Sequence, residues 1–207
     1  MEVKSMRLLM AFIGVVITGI SVGIFQAASL GTDPFTSFTT GLCNVTGLSF
    51  GTFYSILCSV MLIFVLIIDK HYIGLATIFN LIGNGFIADA TKNIIEGIIV
   101  NPSFLVKMIL LILGVIVMCF GASLYFTADL GVSAYDAISK IMSDNKIAQF
   151  RFCRIVTDLI CVVVGFVLRA SIGIGTIITA LFMGPLIQWF NVNFSEPLLR
   201  LQNEEAI

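Results

Sequence analysis

The sequence predicts an all-α polytopic membrane protein: six transmembrane helices arranged as two inverted three-helix repeats, each with a short broken or re-entrant helix after its first span. Three observations carry this prediction. Apolar residues make up 58% of the 207 and charged residues only 11%, with a mean hydropathy of +1.09. The chain matches itself at an offset of about one hundred residues, and its basic residues are distributed unevenly along it. A soluble domain could not cover so much apolar surface. Six spans of about 20 residues each also leave no room for a separate soluble domain.

Apolar runs and their breaks place the elements in order. The first half reads as a span at 8–29, a short helix at 34–45, and spans at 53–68 and 73–90. The second reads as a span at 106–128, a short helix at 134–143, and spans at 152–168 and 172–192. Lys4 and Arg7 precede the first run, and Ala27, Ala28 and Ser29 close it, much as in a secretory signal peptide. The run of about 20 residues is longer than a typical signal core. It also has a partner later in the chain with no processing role, so it is expected to be retained.

That partner belongs to an internal duplication, with units at 1–100 and 101–207. At an offset of 100, Gly14 falls on Gly114, Val15 on Val115, Ala28 on Ala128, Leu30 on Leu130 and Gly31 on Gly131. At an offset of 99, Phe53 falls on Phe152, Gly74 on Gly173, Thr77 on Thr176 and Gly85 on Gly184. Apolar sequences align easily by chance, so the shared glycines, threonine and breaks carry the argument. A unit of three spans places its second copy upside down, the inverted-repeat architecture of many transporters and some channels.

The basic residues test this separately. With both termini cytoplasmic, Lys4, Arg7, Lys70, Lys140, Lys146, Arg151, Arg154 and Arg200 lie inside and Lys92, Lys107 and Arg169 outside. This is a positive-inside bias. The first short-helix segment holds no Lys or Arg, whereas its mate carries Lys140 and leads into Lys146 and Arg151.

The two corners, LGTDPFTSF from Leu30 and LGVSAYDAI from Leu130, read as a span ending at glycine with a new helix starting at once. Asp33 before Pro34 is an N-cap with proline at the first helical position, and Ser133 before Ala134 is the same device. Helix N-termini expose N–H groups and partial positive charge, which suits an anionic or polar ligand. The alternative is a pair of surface helices lying along the two interfaces, with Phe35 and Phe38 toward lipid.

Polar residues inside the spans are the second pointer, because they are costly in hydrocarbon. Thr77, Asn80 and Asn84 share one helical face, and their mates are Thr176, Thr179 and Met183. Together with Thr32, Asp33, Ser133 and Asp136 from the corners, Thr77, Asn80, Asn84, Thr176 and Thr179 form the candidate substrate site. The competing reading is interhelical hydrogen bonding with no ligand. Asp158 is the one acidic residue well inside a span and the candidate ion or proton coupling residue. An ion pair with Arg154, four residues earlier and snorkelling outward, explains it structurally. Asp89 and Gln188 at span ends are weaker candidates.

Gly19 and Gly23 form a small-residue face that packs helices within one chain or between the two chains of a homodimer. His71 reads as a solvated turn residue. The cysteines at 43, 58, 119, 153 and 161 follow no metal or redox spacing and read as packing residues. No phosphate loop, nucleophile motif or carboxylate pair with a base in reach is present, so no enzyme activity, cofactor or metal is expected, and nothing points to nucleic acid.

The corner motif, the GIGT segment from Gly173 and the MGPLIQWF segment from Met183 together resemble the bacterial YczE/YyaS/YitT family of membrane proteins. In that family the corner reads like Leu-Gly-x-x-Pro followed by an aromatic and an acidic residue. Here the first copy has Pro34 and Phe35 but Thr36, and the second has Ala134, Tyr135 and Asp136. The resemblance implies a multi-pass protein of the bacterial plasma membrane, suspected of transport, and carries over no catalytic residue. Substrate-binding subunits of energy-coupling-factor vitamin transporters share the size and span number. They dock through Ala-x-x-x-Ala on the first span, however, and here Ala11 is followed by Val15.

The expected function is therefore a membrane transporter or facilitator for a small polar or anionic small-molecule solute, with the site at the repeat interface and the lipid bilayer as surroundings. A small pore-forming channel and a non-transporting structural or regulatory membrane protein are the rival readings.

Overall fold

The computed structural model describes residues 3–69 and 72–205. Lys70 and His71 lie outside the described residues, as do the side chains of Lys4 and Arg151. The helices are α1 (Val3–Ala28), α2 (Pro34–Thr46), α3 (Phe50–Ile68) and α4 (Leu75–Phe79), which runs through a π-helical turn at Asn80–Asn84 into α5 (Gly85–Ile98). The second half follows with α6 (Phe104–Ala128), α7 (Ala134–Asp144), α8 (Phe150–Val167) and α9 (Ile174–Phe190). A second π turn at Asn191–Ser195 then leads into α10 (Glu196–Glu205). No strand occurs among the described residues.

Among the described residues four segments are long and apolar enough to cross a membrane: Ser5–Ala28, Phe50–Ile68, Phe104–Ala128 and Ile174–Arg200. The other two expected spans differ from these for identifiable reasons. The π turn cuts the third into pieces of 5, 5 and 14 residues, and α8 carries Arg151, Arg154 and Asp158. The outward faces remain apolar throughout, with Ile63, Phe64 and Ile67 on α3, Leu159, Val163 and Phe166 on α8, and Ile177, Leu181 and Phe182 on α9 exposed. Such a belt fits lipid and not water.

At the centre, α1 and α6 cross antiparallel. The Arg7 guanidinium near the start of α1 approaches the Ala128 carbonyl at the end of α6 at 3.5 Å, and Ser21 Oγ donates to the Gly114 carbonyl at 2.8 Å. The crossing is close because its contacts are small. A Cβ on Gly14 would strike Gly121 and Tyr125, and one on Gly114 would strike the ring of Phe25. Gly14 and Gly114 stand one hundred residues apart in the chain, as do Phe25 and Tyr125. The Gly19/Gly23 face of α1 takes Asn84, Ile87, Ala88 and Thr91 against it, so it packs within the chain.

The two corners share one backbone conformation. Ser29 and Asp129 have φ of 53° and 51°, and Gly31 and Gly131 have φ of 105° and 101°, the left-handed region that favours glycine. Each corner docks on the helix start of the opposite half. Ala76 N–H donates to the Leu130 carbonyl at 3.0 Å, and Gly175 N–H donates to the Leu30 carbonyl at 2.8 Å. Gly74 and Gly173 leave no room for a Cβ against Leu130 and Leu30. The short helices cross over too: α2 packs on α8 through Gly41 and Gly165, and α7 packs on α3 through Ala137, Ile141 and Val65. Residues 3–98 and 104–205 are therefore interleaved rather than placed side by side.

Candidate functional site

The crossing corners bring the starts of α2 and α7 together. The rings of Phe35 and Tyr135 stack with centroids 4.6 Å apart and planes 16° apart. Phe35 also meets Tyr54 of α3 edge-on at 5.8 Å. Phe35 is 8% exposed, and half-buried Phe38 packs against the same core. The alternative reading that turned these two rings toward lipid on a surface helix is corrected. Pro34, Phe35, Thr36, Ser37, Thr39 and Gly41 of α2 are all buried, because the helix lies between α8 and the aromatic centre.

The chain caps its own helix starts. Asp33 Oδ1 accepts from Thr36 N–H at 3.1 Å and the Asp33 carbonyl from Ser37 N–H at 2.9 Å. At α7, Ser133 Oγ accepts from Asp136 N–H at 3.1 Å and the Ser133 carbonyl from Ala137 N–H at 2.9 Å. The Thr36, Ser37, Asp136 and Ala137 N–H groups are thus already occupied. Thr32 is likewise committed, its Oγ1 2.9 Å from Ser37 Oγ.

A charged cluster lies beside the stack. Arg154 of α8 pairs with Asp136 of α7, sits with Nε 3.3 Å from Asp158 Oδ1, and lies 4.6 Å over the Tyr135 ring. The Tyr135 hydroxyl donates to Asp158, and Ser133 Oγ donates to Asp136 at 2.7 Å. The expected Arg154–Asp158 pair is present, but the guanidinium turns inward to Asp136 instead of snorkelling outward, because a second carboxylate and an aromatic face await it there. Asp33 lies within electrostatic reach of Asp158 and Arg154. Its Oδ2 is sealed from solvent and has no hydrogen-bond partner. Two carboxylates thus pair with one guanidinium, and a third lies within its field.

The polar stripe divides in two. Thr77 Oγ1 donates to the Val132 carbonyl at 2.7 Å and Thr179 Oγ1 to the Thr176 carbonyl at 3.0 Å, while Thr176 Oγ1 accepts from Gly173 N–H at 3.5 Å. These threonines serve the corner docks and their helix. Asn80 and Asn84 instead meet Tyr54, whose hydroxyl donates to Asn80 Oδ1 at 2.6 Å and accepts from Asn84 Nδ2 at 3.2 Å. Asn84 Oδ1 and the Tyr125 hydroxyl are buried without partners. Asp89 is structural, accepting from Gly51 N–H at 2.7 Å, and Gln188 is exposed.

Tyr54 and the Phe35–Tyr135 stack are the residues sequence reasoning missed. A single tyrosine in an otherwise lipophilic α3 was a signal for the first. The second was signalled by two aromatic residues standing one hundred positions apart, each just after a Leu-Gly corner. Two well-formed clefts, of about 250 and 190 Å3, lie away from this centre, near Glu96 and Lys107 and in the apolar groove between α6 and α9. Among the described residues no group of three His, Cys, Asp or Glu could hold a metal.

Residues 5–192 match a family model described as "Family of unknown function (DUF6198)". The chain belongs to this family. It is 27% identical over 176 residues to an uncharacterized protein of Haemophilus influenzae, covering 84% of this chain and 78% of that one. It is 25% identical over 181 residues to the uncharacterized protein YyaS of Bacillus subtilis, covering 86% and 89%. With the uncharacterized membrane protein YczE of the same organism the identity is 21% over 179 residues, covering 86% and 82%. The resemblance read from the corners and the GIGT and MGPLIQWF segments is therefore borne out, and the chain is a membrane protein of the YczE/YyaS kind. No solved structure matches.

Proposed function

We propose that this protein is a transporter or facilitator for a small polar solute in the bacterial plasma membrane, built as six spans in two inverted repeats with both termini cytoplasmic. The observation that carries the reading is the Phe35–Tyr135 stack, where two short helices begin face to face inside the protein rather than on its surfaces. Broken helices meeting at a repeat interface are where transporters of this design hold their solutes. The antiparallel α1/α6 crossing and the reciprocal corner docks support an inverted duplication. For the two remaining spans, Leu75 to Ile98 covers about 36 Å and α8 about 27 Å at 1.5 Å per residue. Arg154 and Asp158 of α8 point to the protein interior while its outer face is apolar.

The charge of the site narrows the solute. With the helix starts self-capped and three carboxylates against one guanidinium, a neutral or cationic polar solute suits the centre better than an anionic one. Candidate contacts are Asp33, Asn80, Asn84, Tyr54 and Tyr135, reached when the aromatic stack parts. A sealed structural role is the second reading, favoured by the closed Tyr54–Asn80–Asn84 contact.

A thermal-stability screen of the purified protein against a metabolite library tests the choice. A solute at a hundred times its dissociation constant stabilises by about 2.7 kcal/mol. Stabilisation lost in Phe35→Ala and Tyr135→Ala, with uptake of the same solute into proteoliposomes, supports transport. A library without a stabilising member favours the structural reading.

A further inference from the structure

We propose that Asp33, not Asp158, is the proton-binding carboxylate of this site, holding a proton in the closed state seen here. The inference deepens the transport reading by making the proton its coupling ion, and its test needs no solute. Asp158 has its charge answered twice, by Arg154 and by the Tyr135 hydroxyl. Asp136 is answered by the same guanidinium and by Ser133. Asp33 spends Oδ1 on the α2 cap, and its Oδ2 is sealed from water with nothing to accept from. A carboxylate oxygen in that position is costly, and a proton on it removes the charge.

The groups around Asp33 point the same way. From α8 come Asp158, Cys161 and Arg154, the last already engaged by two other carboxylates. From α3 and α7 the rings of Tyr54 and Tyr135 lie against Phe35, two residues on from Asp33, and Asp136 of α7 pairs with Arg154. The α9 helix brings no ionisable side chain. Among the described residues no cation is left over for Asp33, and no third ligand makes a metal site. The occupant that fits an oxygen sealed from solvent and without a partner is a proton. It comes from water on the side to which the site last opened, forming the carboxyl O–H, and returns to water as that bond breaks when the site opens to the other side.

Infrared titration of the protein reconstituted in phosphatidylglycerol vesicles tests this directly. The wild type is expected to show a carboxylic-acid carbonyl band that persists at pH 7 and shifts in deuterated buffer. Asp33→Asn should remove that band, since asparagine keeps the helix cap and cannot hold the proton. Asp33→Ser keeps the cap by another route and should give the same loss. Asp158→Asn should leave the band in place. A wild-type protein without the band at pH 7, or a band that survives both Asp33 changes and disappears in Asp158→Asn, overturns the proposal. If the band behaves as expected and no solute stabilises the protein, the proton site stands and the transport reading falls.

Discussion

Leu30 and Leu130 each lend a carbonyl to the opposite half of the protein: Leu130 accepts from Ala76 N–H and Leu30 from Gly175 N–H, at 3.0 and 2.8 Å. The two acceptors stand 100 residues apart in the chain and the two donors 99. The α4 and α9 helix starts therefore depend on backbone supplied from the other half, and the neighbouring glycines keep that approach possible.

Gly74→Ala and Gly173→Ala should therefore destabilise by similar amounts, about 1–3 kcal/mol each, because either Cβ overlaps a carbonyl that cannot move without undoing its corner. Gly97→Ala and Gly184→Ala, which would meet nothing within 4 Å, should be neutral to within about 0.5 kcal/mol. Thermal unfolding of the purified variants measures all four. Equal melting temperatures across the set would show that the docks do not hold the halves together.

Removal of the Tyr54 hydroxyl in Tyr54→Phe should cost about 0.6–2 kcal/mol, the range of interhelical hydrogen bonds in membranes. Asn80→Leu and Asn84→Leu act on the same hydroxyl. Their effects should be strongly non-additive with Tyr54→Phe in double-mutant cycles. Additive losses would mean that the three side chains do not form one network.

Arg154→Gln should destabilise by roughly 1–3 kcal/mol, less than the 3–5 of a fully buried pair because the side chain is still a third exposed. Arg154→Lys should recover little, since an ammonium lacks the planar fork that reaches Asp136 and Asp158 together and lies over Tyr135. Chemical denaturation in detergent reads both, and full recovery with lysine would reduce the arrangement to simple charge neutralisation.

Much of this was legible in the sequence. The αL corners, the Asp33 and Ser133 caps and the short-helix boundaries follow from local backbone chemistry, which Gly31, Gly131 and Pro34 announce by residue type alone. What the sequence withheld was direction. In a chain apolar on every side, periodicity does not separate a face toward lipid from one toward protein, so Phe35 fitted an outward surface helix as well as its buried stack. Nor did spacing reveal that α2 rests on α8 and α7 on α3, because contacts between halves depend on how the corners cross. Thr77, Asn80 and Asn84 were read as one stripe. The π turn begins at Asn80 and sends Thr77 to the Val132 carbonyl and the two asparagines to Tyr54, and no residue type forces that turn.

The measurement that bears most directly on the central claim is the sidedness of the two short helices. On a background lacking the five native cysteines, single cysteines replace Thr46 at the end of α2 and Asp144 at the end of α7, both exposed positions. Intact cells are treated with a membrane-impermeant maleimide. Inverted repeats with cytoplasmic termini predict labelling from outside at position 46 and protection at position 144 until the cells are opened. Equal labelling of both positions from outside would contradict the inverted architecture, and with it the repeat interface on which the proposed transport site depends.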